Sequence, residues 1–390
     1  MELGKYPPRK KKKKLSGMDL PFLILTLLLL CVGLITLFSA SYVDALYNTK
    51  SHNGAYFFIR QGGFALSGIA IMLVVSRFNY HKLHYLAVPS MVISVLLLVA
   101  VLTPLGIDHN GAQRWLKIGV EFQPSEIAKF AVILCFASLI TLWGPKKMKT
   151  FRYGILPFIG MIGVLALLLI KEPHLSGTVI IAVTGIVMIF LGGANLAWLV
   201  GMGCAGVAAG VGLIFTLEHA MARVQVWLDP FSDFQGKGWQ GSQSLLAIGS
   251  GQLFGQGLLH GIQTQADYSS ALPARDTDFI FAVCGEELGM VGCLALLSLL
   301  FLIVLRCVWV SRRASSPFFA YVCMGMAGML LAQILLNVGM CLYVLPVMGL
   351  TLPFISYGGS SVITLFAAMG IVSSVKARML PSWLRNQSST

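Results

Sequence analysis

Acidic side chains crowd the edge of an apolar run in the stretch LPARDTDFIFAVCGEELG, Leu272 to Gly289. Asp276 and Asp278 stand just before FIFAV, and Glu286 and Glu287 lie inside it. A carboxylate at the mouth of an apolar helix can take the proton of an attacking hydroxyl. Near a helix start the dipole favours its ionised form, so it is a weak base that relies on positioning and exclusion of water. The same placement describes a helix-capping acid. Asp276 or Thr277 can equally serve as that cap, which leaves Asp278 available. At about 100° per residue Glu286 falls nearer the Asp278 face and Glu287 points away. Glu286 either supports the site electrostatically or joins helices as a buried hydrogen-bonding partner.

A second group of ionisable residues lies in NGAQRWLKIGVEFQPSEIAKF, Asn110 to Phe130. Pro124 suits the first turn of a helix, and Glu126 and Lys129, three apart, share one face of it. Lys129 then sits a turn or more inside the membrane. Ionisable groups at that depth are costly and mark a functional site; a bridge that only fixes packing is the alternative. All eight cysteines fall in or beside apolar runs, with no CxxC pair and no histidine at metal spacing, which reads as reduced packing residues.

The elements that must position these groups are membrane helices. Of the 390 residues 57% are hydrophobic and 11% charged, and the mean hydropathy is +0.81. Repeated apolar stretches then predict an all-α polytopic membrane protein and exclude a soluble one. Ten spans are expected, near 19–41, 62–77, 85–105, 124–144, 154–170, 177–193, 195–215, 278–306, 317–344 and 359–378. The first run lacks a small-residue cleavage site and reads as a retained helix instead of a signal peptide. Most of the 28 basic residues fall on one side, among them Lys10 to Lys14, Lys146, Lys147, Arg312 and Arg313; Glu2 and Asp19 apart, the 15 acids fall on or near the other. The positive-inside rule makes both termini cytoplasmic. The expected organisation is a basic cytoplasmic tail over 1–18, a ten-helix domain over 19–378 and a second tail over 379–390. The net charge of +13 is concentrated in RKKKKK and short inner loops, which suits anionic lipid and not nucleic acid. A large outer loop between helices 7 and 8, Glu218 to Thr277, is glycine-rich without a phosphate-loop pattern. Half-buried or re-entrant structure lining a cavity is expected there and at LPVMGLTLPFISYGGSS, Leu345 to Ser361.

The segments NGAQRWL, FQPSEIAK, RVQVWLDP, QSLLAIGSG, LPARDTDFIFAVCGEELG, NVGM and GLTLPFISYGGSS together resemble the SEDS family of peptidoglycan glycosyltransferases, and its division and sporulation members more than its elongation member. The resemblance implies an enzyme of the cytoplasmic membrane that polymerises lipid II on the outer face and releases undecaprenyl pyrophosphate. It implies a class B penicillin-binding protein and other division-complex membrane proteins as partners. It places the catalytic acid on Asp278, within TDFIF, and the substrate-binding residues on Arg114, Trp115, Gln123, Ser125, Glu126, Lys129, Arg223, Gln243 and Glu286. Arg114, Lys129 and Arg223 suit the pyrophosphate. No cofactor is implied with certainty; a divalent cation, Mg or Mn, stays open, with no ligand cluster in view. The chain departs from the family pattern at Ala274, where an acid is usual, and at Asp276, where histidine is frequent. His174 and Ser176 in EPHLSGT and Met348 in LPVMGLTLPF depart from it too. A lipid II flippase is the rival reading, and a non-enzymatic division scaffold a third. The clustering of polar motifs on one side and the absence of an inverted repeat weigh against transport.

Overall fold

The computed structural model describes residues 19–77, 83–109, 112–172, 174–216, 224, 226–266 and 271–376. The basic segment 1–18, the terminal segment 379–390, Lys82, Glu218 and Arg223 lie outside them. Helices dominate: α1 (Leu20–Asn48), α2 (Tyr56–Arg77), α3 (Leu83–Val101), α4 (Pro124–Met148), α5 (Phe151–Gly154), α6 (Leu156–Lys171), α7 (Leu175–Leu191) and α8 (Leu196–Thr216). Two pieces, α9 (Trp239–Ser250) and the single turn α10 (Ile262–Gln265), precede α11 (Ile280–Arg312), α12 (Pro317–Cys341) and α13 (Gly359–Lys376). Among the described residues, seven helical segments are long and apolar enough to cross a membrane: α1, α2, α3, α4, α5–α6, α11 and α12. Two shorter apolar helices are Leu175–Leu191 and Gly359–Val375.

Helix is what a bilayer demands, because each backbone N–H and C=O there must find its partner within the segment. These helices are apolar all round. Leu66 and Leu142 are exposed as fully as Phe22, Phe136, Phe158 and Phe366 are buried. Lipid and protein core are equally apolar solvents, so neither face needs to be polar. The bundle interior forms where α13 lies along α2, α12 packs on α4, α7 and α11, and α3 runs beside α4.

One part is not helical. Residues 106–122 form a three-stranded antiparallel sheet, β1 (Gly106–His109), β2 (Ala112–Ile118) and β3 (Val120–Phe122), in the order β1-β2-β3. The chain is mostly helical, as the all-α expectation has it, and this small sheet is an addition that the expectation did not include. Gly119 closes the β2–β3 turn with a φ of 76°, a left-handed conformation that costs glycine nothing. The sheet bridges the ends of α3 and α4 and defines the sheet side of the molecule.

Two helices break. α11 bends at Gly289 (φ 66°, ψ −171°), a backbone region open essentially to glycine alone. The loop after α9 fills the gap: Gln256 N donates to Glu286 O at 2.9 Å, Gly257 N to Glu287 O at 3.0 Å, and Met290 N to Gln252 O at 2.9 Å. The described part of the glycine-rich segment thus docks against α11. The acids of α11 hold it there. Both Glu286 carboxylate oxygens accept from Gln263 N, and Glu287 Oε1 accepts from Ser39 Oγ and Leu259 N.

Candidate active site

On the sheet side, residues from β2, β3, α2, α4, α7, the 345–361 segment and the approach to α11 enclose a cavity of about 410 Å³. Asp278 lines it from the turn that leads into α11. The N-cap of that helix is Phe279, with no side-chain cap, so neither Asp276 nor Thr277 caps it and Asp278 sits one residue before it. The carboxylate is held by its backbone. Asn337 Nδ2 of α12 donates to Asp278 O at 2.8 Å and also to Leu350 O. Ser356 Oγ donates to Thr277 O at 2.6 Å, and Tyr357 N to Asp276 O at 2.9 Å. The 345–361 segment is thus tied to both α12 and the TDFIF turn. At Gly349 (φ 64°) an added Cβ would stand in ordinary contact, 3.4 Å from Asp278 Oδ2, so glycine is there for its backbone angle.

The remaining wall is cationic. Pro124 starts α4 directly after β3, which turns Ser125, Glu126 and Lys129 into the cavity. Lys129 Nζ donates to Glu126 Oε1 at 2.8 Å, with both side chains buried. Arg114 and Trp115 arrive on β2 and Gln123 on the β3–α4 junction. Gln123 Nε2 lies 3.3 Å from His174 Nε2. Burial, then the charges of Arg114 and Lys129, push the His174 ring down to about 3, so it is neutral at physiological pH. Burial lifts the Glu172 carboxyl to about 8 against the pull of Arg114. The guanidinium of Arg114 is itself lowered by burial, while Asp278 and then Glu172 support its charge. Asp278 is lifted to about 6, first by burial and then by the charge of Asp276, with Arg114 pulling the other way.

Asp278, Arg114, Trp115, Gln123, Ser125, Glu126 and Lys129, scattered over three sequence motifs, thus line one cavity. Gln243 and Glu286 do not. Gln243 Oε1 accepts from Gln263 Nε2 at 2.7 Å, and Glu286 is fully buried under the same loop. Gln243 Oε1 and the Glu286 carboxylate are used in docking the segment after α9 against α11. Arg223 lies outside the described residues. The structure adds residues that sequence reasoning missed: Arg60 of α2, which lines the cavity with Tyr357, Glu121, Gln333, Ser360 and Ser361. Arg60 sits in an apolar helix pattern with no charged neighbour at helical spacing, so only the folding of α2 against α13 reveals its place. Among the described residues, no group of three or more His, Cys, Asp or Glu side chains is arranged to hold a metal ion.

A family model described as cell cycle protein, of the FtsW/RodA/SpoVE type, matches residues 20–379. A probable peptidoglycan glycosyltransferase FtsW from Geobacter sulfurreducens is 35% identical over 369 residues, covering 94% of this chain and 97% of the relative. Stage V sporulation protein E of Bacillus subtilis is 37% identical over 365 residues, covering 93% and 98%. The peptidoglycan glycosyltransferase MrdB of Escherichia coli is 40% identical over 322 residues, covering 81% and 84%. Among solved structures, a chain from a peptidoglycan synthase complex described as coordinating polymerization and crosslinking superposes with a TM-score of 0.77 at 28% identity, over 92% of this chain and 97% of that one. The rod shape determining protein RodA of Thermus thermophilus superposes with a TM-score of 0.67 at 26% identity, over 94% and 99%.

Proposed function

The chain belongs to the FtsW/RodA/SpoVE family of cell cycle proteins, and from that premise we propose that it is a peptidoglycan glycosyltransferase that polymerises lipid II in the sheet-side cavity. The observation that carries the reading is the meeting of Asp278 with Arg114 and Lys129 in one cavity. Asp278 accepts the proton of the acceptor's sugar hydroxyl as its oxygen attacks the anomeric carbon of the donor. The bond from that carbon to the diphosphate breaks, and the leaving group departs as undecaprenyl pyrophosphate. Its growing charge is met by Arg114 and Lys129, while Asp278 returns its proton to water. Any divalent cation would add to this neutralisation.

Donor and acceptor each carry a diphosphate, and the cations divide accordingly. The donor's diphosphate is bonded to the reacting carbon, so it belongs with Arg114, the cation whose field reaches Asp278. The acceptor's diphosphate lies a disaccharide away from its attacking hydroxyl, which suits Arg60 beside Tyr357. Trp115, Gln123, Ser125 and Glu126 line the space between and contact sugar.

The seven membrane helices, with α7, α8 and α13 added, give ten spans, both termini cytoplasmic and the sheet side outward, a reading supported by the basic inner loops. The segment between α8 and α11 is then the large outer loop. The chain reads as 1–18 and 379–390 cytoplasmic tails around one membrane domain, in septal or sporulation wall synthesis. A class B penicillin-binding protein is the partner that would cross-link its product, a reading supported by the similarity to a chain from a complex described as coordinating polymerization and crosslinking. The test is direct: purified protein, with and without such a partner, is given labelled lipid II. Glycan polymer and released undecaprenyl pyrophosphate are expected; movement of lipid II across the bilayer without polymer would replace the reading with a flippase.

A further inference from the structure

On the side opposite the sheet, the turn between α11 and α12 and the end of α7 bound a second cavity of about 480 Å³. Arg312, Ser315, Ser316 and Tyr321 supply its polar lining, and Leu191 and Met324 are among its apolar residues. The turn is fixed: Ser311 Oγ donates to Ala320 O at 2.7 Å, which staples the end of α11 to the start of α12. Neighbouring arginines are used for packing. Arg306 makes a bidentate pair with Asp19 at 2.7 and 3.0 Å, and the guanidinium groups of Arg306 and Arg313 each lie 4.0 Å from the Trp309 ring centroid. Arg312 is the arginine of this group that lines the cavity.

We propose that this cavity holds the phosphate of an anionic phospholipid, with Arg312 and the hydroxyls of Ser315, Ser316 and Tyr321 on the phosphate and the first acyl carbons against Leu191 and Met324. A guanidinium fork matches phosphate oxygens. The cavity opens where two membrane-length helices end, which is the depth of a lipid headgroup, and Phe190 beside it is exposed. This site is independent of the catalytic reading, since its residues lie at the far end of α11 from Asp278.

Full-length protein is bound to vesicles of phosphatidylcholine containing either phosphatidylglycerol or more phosphatidylcholine, and co-purifying lipid is counted by native mass spectrometry. One phosphatidylglycerol is expected to be retained over phosphatidylcholine. Arg312→Gln should weaken it about tenfold, the loss of one charge-assisted contact, and Arg312→Lys should recover part of the binding. Lys149→Gln, an equal loss of charge on the same side but outside the cavity lining, should leave binding unchanged. Equal loss in both glutamine variants would mean general surface attraction and would overturn the site, as would equal retention of the two lipids. Displacement by soluble glycerol phosphate would overturn the lipid assignment and leave a phosphate site only.

Discussion

Asp278 sits where burial and Arg114 pull its proton affinity in opposite directions, and burial prevails. With the carboxyl lifted to about 6, a base that must be ionised works better as pH rises. Polymerisation should therefore climb between pH 5 and 7 with a midpoint near about 6, and Asp276→Asn, which removes the second cause of the lift, should move that midpoint to lower pH. A flat profile over that range would place the titrating group elsewhere. The same lift has a cost in stability. Because the folded-state value lies above the ordinary 3.8, the folded protein favours the protonated acid, and stability falls as pH rises from about 4 through about 6. Asp278→Asn should thus melt higher than the parent at pH 7 and equal it at pH 4. The Glu126–Lys129 pair is separable by a different logic. Removing one partner strands a buried charge, at a cost of about 3–5 kcal/mol. Lys129→Met alone should therefore lower the melting temperature more than the double variant with Glu126→Gln, while both lose polymerisation because the diphosphate loses its cation. A double variant that polymerises normally would reduce the pair to packing.

The break in α11 sets the geometry one level up. Gly289 lets the loop after α9 approach to hydrogen-bonding distance, and that loop braces the helix that begins next to Asp278. Gly289→Ala meets both a forbidden backbone region and Gly255 N only 2.3 Å from its Cβ. It should cost at least about 1–3 kcal/mol, seen as earlier unfolding in detergent; unchanged melting would show that the brace carries no stability. How much of this was legible differs by element. Asp278, Glu126 and Lys129 were readable because charge at membrane depth is rare. The role of Gln243 and Glu286 was not, because a polar atom in a brace and one in a cavity look alike until the loop's path is known. The sheet was missed because its strands are short and polar, with no apolar alternation long enough to compete with a loop. Arg60 was missed because nothing in its own helix marks it.

For the molecule as a whole, the proposed orientation puts the basic turns inward and the sheet and its cavity outward. Lys237 is exposed on the segment before α9, so Lys237→Cys, with the exposed Cys31 and Cys204 changed to serine, should label in intact cells with an impermeant thiol reagent. Labelling only after permeabilisation would invert the topology and remove the site from the outer face. The claim on which the rest depends is that Asp278 is the base of a lipid II polymerase. It is tested by purified Asp278→Asn protein incubated with labelled lipid II, with binding of lipid II measured in the same preparation. Polymer formation is expected to fall by about a hundredfold or more, with binding little changed. Polymerisation at the parental rate by a folded Asp278→Asn protein would contradict it.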